Sequence, residues 1–388
     1  MIVTNMRGIA LPEGWDRRPI ASFSRAVATG LTTDALDVNG TTPLFDAQGQ
    51  IGNTNSKPID APYVTIIKDG AGVGKVRILP KNSTFLGTMN GLITDTTVDL
   101  KYFYYVLAQS SFFLENITTI PHIYFRDYSK EKILVPPRAR QSKIVNFLDL
   151  ETAKIDHLIA KQRQLVDLTN SRLQAWREHA FWGNGHGNPL ECPPEGWELV
   201  RNRHVLEHVD GRSETGEEEM LSVSHLTGVT PRSMKNVTMF EAESTVGYRL
   251  VGQDELVINT MWAWMGALGV SRYEGIVSPA YDVYKFRDLD AVNPMYFDCM
   301  YRTAAYVQLM KANSRGIWES RLRLYPEVFL RLPSLVPPKE TQDRLVNENC
   351  DRTTEAGRLT TQGNKAIELL QERRSALITA AVTGQIEV

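Results

Sequence analysis

The sequence is poor in the features that mark secreted, membrane-spanning and metal-binding proteins. Its three cysteines, Cys192, Cys299 and Cys350, have the spacing of neither a metal site nor a disulfide framework, so we expect a reducing, cytoplasmic location. The most apolar run, residues 261–270, is too short to cross a bilayer. Residues 1–10 lack the apolar core of a signal peptide. We therefore expect a protein with no membrane partner and no metal of its own.

The sequence also lacks an excess of positive charge. The 43 Lys and Arg residues and the 45 Asp and Glu residues give a net charge of −2, and no long segment is strongly basic. Non-specific DNA binding depends on neutralised phosphates, so this composition excludes binding through bulk charge. Any DNA binding must use local patches or a partner that supplies part of the phosphate contact.

What the sequence does contain is a repeat. Leu134-Val135-Pro136-Pro137 recurs 201 residues later as Leu335-Val336-Pro337-Pro338, and the same offset relates residues 141–183 to 342–384 without a gap. In both copies Pro-Pro predicts an extended start, a helix follows, and Gly183 or Gly384 predicts its end. The two copies of this segment have the same length. This indicates two helical rods whose lengths must match each other.

The helix pattern is clearer in the first copy, where apolar residues recur at steps of three and four over about residues 139–182. Such a helix would be about 65 Å long. In the second copy residues 347–365 are polar and include Gly357 and Gly363, each of which costs about 1 kcal/mol in a helix. We expect the first helix to hold the second along a stripe formed by Ile144, Leu148, Ile155, Leu158, Leu165, Leu168, Trp176, Leu345, Leu359, Leu369 and Leu377.

A second repeat, Pro-Glu-Gly-Trp at residues 12–15 and 194–197, precedes a globular stretch in each copy. Both stretches are predicted as mixed α/β. In the first, strands are predicted at residues 63–67 and 75–79, a turn at 70–74 and a helix at 100–113. In the second, strands are predicted at 256–258 and 280–286, a tryptophan-bearing connection at 261–269 and a helix at 294–310. The predicted domains are therefore 1–137, a helix over 138–183, a linker over 184–197, a second domain over 198–337 and a helix over 338–388.

Two motifs suggest chemistry that their neighbours do not support. Residues 70–75, Gly-Ala-Gly-Val-Gly-Lys, lack the first glycine and the final Ser or Thr of a phosphate loop, because Asp69 and Val76 stand there. A glycine turn that exposes Lys75 and Arg77 is the simpler interpretation. His204 and His208 have a zinc-like spacing, but no acidic ligand helix is evident, so a surface helical turn is favoured over a metal site.

Two other stretches are candidates for contact with DNA. Residues 259–266, Asn-Thr-Met-Trp-Ala-Trp-Met-Gly, fit either a plain core or a partly exposed loop whose aromatic and amide groups contact bases. Residues 314–323 contain Arg315, Arg321 and Arg323, and fit either a solvated loop with internal ion pairs or a DNA contact.

These motifs together resemble the specificity subunit of type I restriction-modification systems. The resemblance rests on the two Pro-Glu-Gly-Trp starts, the two Leu-Val-Pro-Pro-helix units, residues 257–281 and the ending Leu370-Gln371-Glu372-Arg373-Arg374-Ser375-Ala376-Leu377-Ile378-Thr379-Ala380-Ala381-Val382-Thr383-Gly384. It implies two α/β target recognition domains joined by two long antiparallel helices, with an internal pseudo-two-fold repeat. Each domain would bind one half of a split, asymmetric DNA target, with the rods capping their separation at about 65 Å.

The resemblance further implies a chain that is not an enzyme and has no cofactor of its own. The implied partners are double-stranded DNA, two methyltransferase subunits and restriction/translocase subunits, with S-adenosylmethionine, ATP and Mg bound on the partners. By the same resemblance, the stripe of residues given above for the helix pair would also form the methyltransferase interface. Two alternatives stay open, a type IIB-like specificity subunit and a coiled-coil protein-binding scaffold. The candidate DNA-contacting residues, expected to be exposed, are Lys75, Arg77, Asn90, Asn259, Trp262, Trp264, Arg272, Arg315, Arg321 and Arg323.

Overall fold

The computed structural model describes residues 11–70, 72–109, 122–183, 188–234, 244–318 and 321–388. The chain divides into two compact units, which are considered one at a time: unit 1 is Met1–Gln164 with Asn364–Val388, and unit 2 is Leu165–Gly363. Along the described ranges, no helix combines the length and apolar character needed to cross a membrane.

The centre of unit 1 is a four-stranded antiparallel sheet in the order β2-β8-β5-β6. All five residues of β5 are buried, as their β-branched and aromatic side chains predict for a central strand. A three-stranded sheet, β4-β3-β7, and a two-stranded pair, β1-β9, complete the unit. The strands are β1 Asp16–Pro19, β2 Ser24–Val27, β3 Thr42–Phe45, β4 Gln50–Thr54, β5 Tyr63–Ile67, β6 Val76–Leu79, β7 Thr84–Phe85, β8 Met89–Thr94 and β9 Lys132–Val135.

Helix α1, Leu100–Ala108, covers this sheet and buries Tyr102, Phe103 and Val106 in the core of unit 1. It begins at Asp99, whose carboxylate accepts hydrogen bonds from the backbone N–H groups of Lys101 and Tyr102, a standard N-cap. The helix was predicted to extend to residue 113, but it ends at Ala108, and residues 110–121 lie outside the described part. A short helix, α2 Phe125–Tyr128, precedes β9.

Unit 2 contains a four-stranded sheet with the same chain path, in the order β11-β18-β15-β16. In both units a hairpin supplies two adjacent strands and the last strand of the set lies between that hairpin and the first strand. Two-stranded pairs β12-β13, β14-β17 and β10-β19 are added in unit 2. The strands are β10 Glu198–Arg201, β11 Leu206–Val209, β12 Leu221–Ser224, β13 Gly228–Pro231, β14 Arg249–Val251, β15 Leu256–Asn259, β16 Leu268–Val270, β17 Gly275–Val277, β18 Tyr281–Phe286 and β19 Pro333–Val336.

The single helix predicted over residues 294–310 is wrong, because two helices occupy this region, α5 Pro294–Tyr301 and α6 Ala304–Asn313. The break comes at Thr303, whose hydroxyl accepts a hydrogen bond from the N–H of Tyr306 and so caps a new helix. Tyr301 and Tyr306 on either side of the break are both buried, 4.8 Å apart between ring centroids. Two shorter helices, α4 Asn202–Val205 and α7 Pro326–Phe329, complete unit 2.

The two long helices predicted from the repeat are confirmed as α3 Arg138–Trp182 and α8 Lys339–Val382. Gly183 and Gly384 follow with φ of +113° and +72°, the left-handed region that ends helices. Helix α8 is continuous through Gly357 and Gly363. The domain boundaries drawn from the sequence at 137, 183, 197 and 337 stay a prediction.

Portions of α3 and α8 lie side by side and antiparallel within each unit. In unit 1, Leu148 shares a core with Ile378, and Asp156 further along α3 meets Arg374 at 2.9 Å. In unit 2, Arg177 donates a hydrogen bond to Thr353 at 2.8 Å and Thr360 donates to Asn170 at 3.5 Å. In both units the residue number rises along α3 as it falls along α8 from one contact to the next, which is the pattern of an antiparallel pair.

The predicted helix stripe is partly wrong. Ile144, Leu148, Ile155 and Leu345 are buried and Trp176 and Leu377 half-buried, but five predicted members are exposed: Leu158, Leu165, Leu168, Leu359 and Leu369. The least exposed positions of α3 instead alternate by four and three residues, as in a heptad seam. Between residues 152 and 176 they are Thr152, Ile155, Ile159, Gln162, Val166, Thr169, Leu173 and Trp176. Polar members of this seam concealed it in the sequence.

Candidate nucleic-acid interface

Each Pro-Glu-Gly-Trp motif forms a turn that leads into a strand. The N–H of Trp15 donates to the Pro12 carbonyl at 3.1 Å, and the N–H of Trp197 donates to the Pro194 carbonyl at 3.0 Å. The intervening glycines have φ of +75° and +77°, which explains why glycine occupies both positions. The following strands, β1 and β10, pair with β9 and β19, which lead directly into α3 and α8. Through the strand that follows it, each turn thus connects the start of a globular domain to the strand that precedes a long helix.

A buried glutamine at the start of each long helix fixes the neighbouring domain. Gln141 donates to the Pro136 carbonyl at 2.8 Å and accepts from the N–H of Asp99, the N-cap of α1, at 2.6 Å. Gln342 donates to the Pro337 carbonyl at 2.8 Å and accepts from the N–H of Asn293 at 2.8 Å. Asn293 is the N-cap of α5. The same contact therefore orients the first domain helix on the long helix in both units.

Glu178 makes a further attachment within unit 2. Its carboxylate accepts hydrogen bonds from the N–H groups of Ala304 and Ala305, the first residues of α6. An anionic group is favoured there by the unsatisfied N–H groups and the helix dipole. Helix α6 ends at Asn313, immediately before the segment that carries three arginines, so this contact helps to place that segment.

The described residues 315–318 and 321–323, here named the arginine hairpin, form two facing stretches of unit 2. The backbones of Arg315 and Arg323 exchange two hydrogen bonds of 2.9 Å, and the N–H of Arg321 donates to the Trp318 carbonyl at 2.8 Å. A Cβ on Gly316 would lie 2.6 Å from the Arg321 carbonyl oxygen, so the closure requires glycine. Among the described residues the guanidinium groups of Arg315, Arg321 and Arg323 make no ion pair. Glu319, the acidic residue of this stretch, lies outside the described part, so both interpretations of residues 314–323 stay predictions.

The structure brings the arginine hairpin together with one of the predicted tryptophans. A cleft of about 880 Å³ is lined by Trp262 and by Arg315, Arg321 and Arg323, with Glu327 as its acidic member. The N–H of Leu324 donates to the Thr260 carbonyl at 3.1 Å. This bond connects the hairpin to residues 259–266, here named the tryptophan loop. Among the described residues that line it, three guanidinium groups face one carboxylate, so the cleft is locally positive, although residues 184–338 as a whole contain 15 Lys and Arg against 20 Asp and Glu.

The two tryptophans of this loop have different environments. Trp262 is about half exposed, whereas Trp264 is partly buried and donates from Nε1 to the Met261 carbonyl at 3.0 Å. Their rings are stacked with centroids 6.3 Å apart, and the ammonium of Lys311 lies 5.6 Å from the Trp264 centroid. Trp262 is therefore the accessible ring and Trp264 supports it from beneath.

Asn90 and Asn259 were expected to be exposed and are buried instead. Both lie in strands of the four-stranded sheets, where neighbouring strands and helices cover them. The Oδ1 atom of Asn259 accepts from the N–H of Met261 at 3.2 Å, so this side chain shapes the tryptophan loop. Arg272 is exposed but lines a different cleft of unit 2, together with Arg177 and Arg302.

In unit 1, Lys75 and Arg77 line one cleft beside Asp46 and Tyr104. Lys75 is exposed at the end of the glycine turn, and β6 follows at Val76. Arg77, expected to be exposed, is half-buried because its guanidinium donates to the Gln48 carbonyl at 2.9 Å. Lys75 is thus the freer of these two cations.

The helical turn predicted over residues 204–208 is wrong. His204 lies in α4 and His208 lies in β11, so the two rings do not share a helix face. The Nε2 atom of His208 lies 3.2 Å from the carboxylate of Asp282 and 3.2 Å from the guanidinium of Arg249. Burial raises the pKa of Asp282, and the neighbouring Arg249 and His208 oppose this shift. These side chains form a polar core network in unit 2.

Sequence reasoning missed the roles of Gln141, Gln342 and Glu178. The two glutamines were aligned by the repeat, and a polar residue kept at the same step after both Pro-Pro pairs was the available signal. Glu178 gave no signal, because its partners are backbone groups more than 120 residues away in the chain.

Comparison with known proteins agrees with this architecture. Residues 12–166 match the family described as "Type I restriction modification DNA specificity domain". No curated protein matched the sequence. A chain from a study titled "Structural basis underlying complex assembly and conformational transition of the type I R-M system" aligns with TM-score 0.74 and 14% identity, covering 97% of this chain and 100% of that one.

The HsdS subunit from Thermoanaerobacter tengcongensis aligns with TM-score 0.53 and 13% identity, and each chain is covered completely. At these identities the two structures establish a shared fold: mixed α/β units with two long helices. The family match lies in residues 12–166, and this part of the chain is similar to the type I restriction modification DNA specificity domain.

Proposed function

We propose that this chain is the non-catalytic specificity subunit of a type I restriction-modification complex. It binds a bipartite, asymmetric DNA target through two recognition domains and docks methyltransferase and restriction/translocase subunits. S-adenosylmethionine, ATP and Mg are held by those partners.

The observation that carries this proposal is the repeated attachment of a domain to a long helix. The Pro-Glu-Gly-Trp turns, the β1-β9 and β10-β19 pairs and the Gln141 and Gln342 contacts have the same geometry in both units. What is attached differs, because unit 2 adds the pairs β12-β13 and β14-β17, whereas unit 1 adds the β4-β3-β7 sheet. Like attachments with unlike domains fit two different half-targets at a fixed separation.

The exposed leucines of the long helices support partner docking. Leu158 and Leu369 in unit 1, and Leu165, Leu168 and Leu359 in unit 2, are each at least 40% exposed. Apolar side chains repeated along a solvent-facing helix surface favour an interface over solvent, since each buried leucine contributes about 1.5–3 kcal/mol. We assign these residues to the methyltransferase interface rather than to the helix seam.

Selection from a random DNA library tests the proposal. The full chain is assembled with its methyltransferase subunits, and bound duplexes are sequenced. We expect two short, unlike sequences separated by a spacer of constant length. Enrichment of a single contiguous site would contradict the bipartite target, and failure to enrich any sequence would contradict the specificity function itself.

A matched insertion tests whether the helices set the spacer. Seven residues are added after Ala160 in α3 and after the equivalent Thr361 in α8, which preserves the heptad phase of both helices. The added length of about 10 Å corresponds to about 3 base pairs of DNA. The selected spacer should lengthen by that amount while both half-sequences persist. The control carries the insertion in α3 alone and should lose specific binding. An unchanged spacer in the double insertion would refute the ruler.

A further inference from the structure

The tip of the arginine hairpin exposes two consecutive large apolar side chains. Ile317 is 94% exposed and Trp318 is 68% exposed. Single exposed apolar residues are ordinary on protein surfaces, but an adjacent isoleucine and tryptophan at a loop tip leave considerable apolar area in water. Binding of a partner that covers these two side chains would remove this apolar area from water.

Backbone hydrogen bonds flank Ile317 and Trp318 within the described part of the hairpin. The paired backbones of Arg315 and Arg323 close its base, the Arg321 N–H bond to the Trp318 carbonyl closes its tip, and Gly316 permits the tight approach. The bond from Leu324 to Thr260 secures the base to the tryptophan loop. These bonds restrain the backbone on both sides of Ile317 and Trp318, so binding costs less conformational entropy at these two residues.

The charge around the tip identifies the class of partner. Among the described residues the three guanidinium groups have no ion-pair partner, and they line the cleft that also contains Trp262. Ile317 and Trp318 lie between Arg315 and Arg321 in the chain. Guanidinium groups bind phosphates, and aromatic or aliphatic side chains stack on bases or enter between base pairs. A duplex presents phosphates on the outside and apolar base faces within, so DNA is complementary to both features.

We propose that Ile317 and Trp318 form an apolar wedge that enters the base stack of the target at one step. Arg315, Arg321 and Arg323 bind the phosphates that flank the opened step. The wedge unstacks one base-pair step and bends the duplex toward the cleft that contains Trp262. Sequence preference then arises from the ease with which a step opens, in addition to direct contacts with base edges. This inference rests on the specificity function proposed above.

The wedge and the arginines make different predictions for salt dependence. Stacking on a base contributes about 1–3 kcal/mol, so Trp318→Ala should weaken binding about 5- to 150-fold and leave the slope of log Kd against log salt unchanged. Arg315→Gln should reduce that slope by about 1, because one phosphate contact is lost. Trp318→Phe keeps an aromatic face and should restore most of the affinity.

The experiment uses the full chain with its methyltransferase subunits and the duplex that the wild-type complex selects from a random library. 2-Aminopurine is placed at each step in turn, and end-labelled duplexes report bending by energy transfer. Wild type should increase 2-aminopurine emission at one step in one half-site. Ile317→Ala and Trp318→Ala should abolish that increase and the bend. Leu289→Ala, an exposed apolar residue between Asp288 and Asp290, is the matched control and should retain both.

Three results would overturn the wedge. The first is wild-type binding without enhanced emission at any step, and the second is a Trp318→Ala variant that binds and bends DNA as Leu289→Ala does. The third is a Trp318→Ala variant that keeps DNA binding but loses methyltransferase subunits, which would make the tip a protein interface. In each case selection of a bipartite duplex by wild type leaves the specificity function intact, whereas failure of that selection refutes both proposals.

Discussion

Replacing Gln141 with leucine tests the attachment of the first domain to its long helix. The side chain is fully buried and makes contacts that leucine cannot make. Gln141→Leu leaves the N–H of Asp99 and the carbonyl of Pro136 without their partner. The third partner, the Thr97 carbonyl at 3.0 Å, belongs to an exposed residue and can be hydrated instead.

The expected cost follows from the two groups that lose their partner. A buried polar group left unsatisfied costs about 1–3 kcal/mol, and Asp99 is only half-buried, so the total should be about 2–4 kcal/mol. This cost should appear as local opening of α1, because the lost contact is at its N-cap. Amide exchange across residues 100–108 should accelerate by about 30-fold or more, since 1.4 kcal/mol corresponds to a factor of ten.

Hydrogen exchange followed by mass spectrometry measures this effect, with Gln164→Leu as the control because that glutamine is exposed on the same helix. Gln342→Leu should accelerate exchange in α5 and leave α1 unchanged. In DNA selection, Gln141→Leu and Gln342→Leu should each weaken the preference for one half-sequence and keep the preference for the other. Exchange in α1 that is the same in Gln141→Leu and Gln164→Leu would refute the role assigned to the buried glutamine.

The remaining predictions concern helix backbone and helix ends. Gly357→Ala should stabilise α8 by about 1 kcal/mol in denaturant unfolding, because no atom lies within 4 Å of the added Cβ; a destabilised variant would refute a regular helix there. Gly384→Ala should destabilise by about 1–2 kcal/mol, because φ is +72° and the Cβ would lie 2.6 Å from Pro12; unchanged stability would contradict the left-handed end. Glu178→Gln should cost about 1 kcal/mol at the start of α6, seen as faster exchange of the Ala304 and Ala305 amides; equal exchange would exclude the capping role.

Much of the helical part could be predicted from the sequence, because local rules decide it. Pro136-Pro137 and Gly183 bound α3 through backbone restrictions that do not depend on the rest of the protein. The helix over 294–310 failed for a similar local reason, since Thr303 caps a new helix where the apolar pattern continues. The buried face of α3 was harder to predict from the sequence. Hydrophobicity alone would bury Leu158 and expose Thr152, but Leu158 is exposed and Thr152 is buried.

The candidate site was recovered only in part. Arg315, Arg321 and Arg323 were identified by their clustering, and Trp262 by its neighbours. Their meeting in one cleft depends on the bond between Leu324 and Thr260, groups 64 positions apart in the chain. Asn259 was chosen for the same chemistry as Trp262 but is buried, because alternate residues in a strand face opposite sides and sequence spacing does not say which side is covered.

The sequence by itself determined the plan of this protein: two globular domains, each started by Pro-Glu-Gly-Trp and followed by a long helix of fixed length. Repeated motifs and backbone restrictions are local, so they can be recognised without knowing what lies nearby. The tertiary structure alone decided which side chains are accessible and which are paired. Burial and hydrogen bonding depend on groups that are distant in the chain, as the contacts of Gln141 with Asp99 and of Glu178 with Ala304 demonstrate.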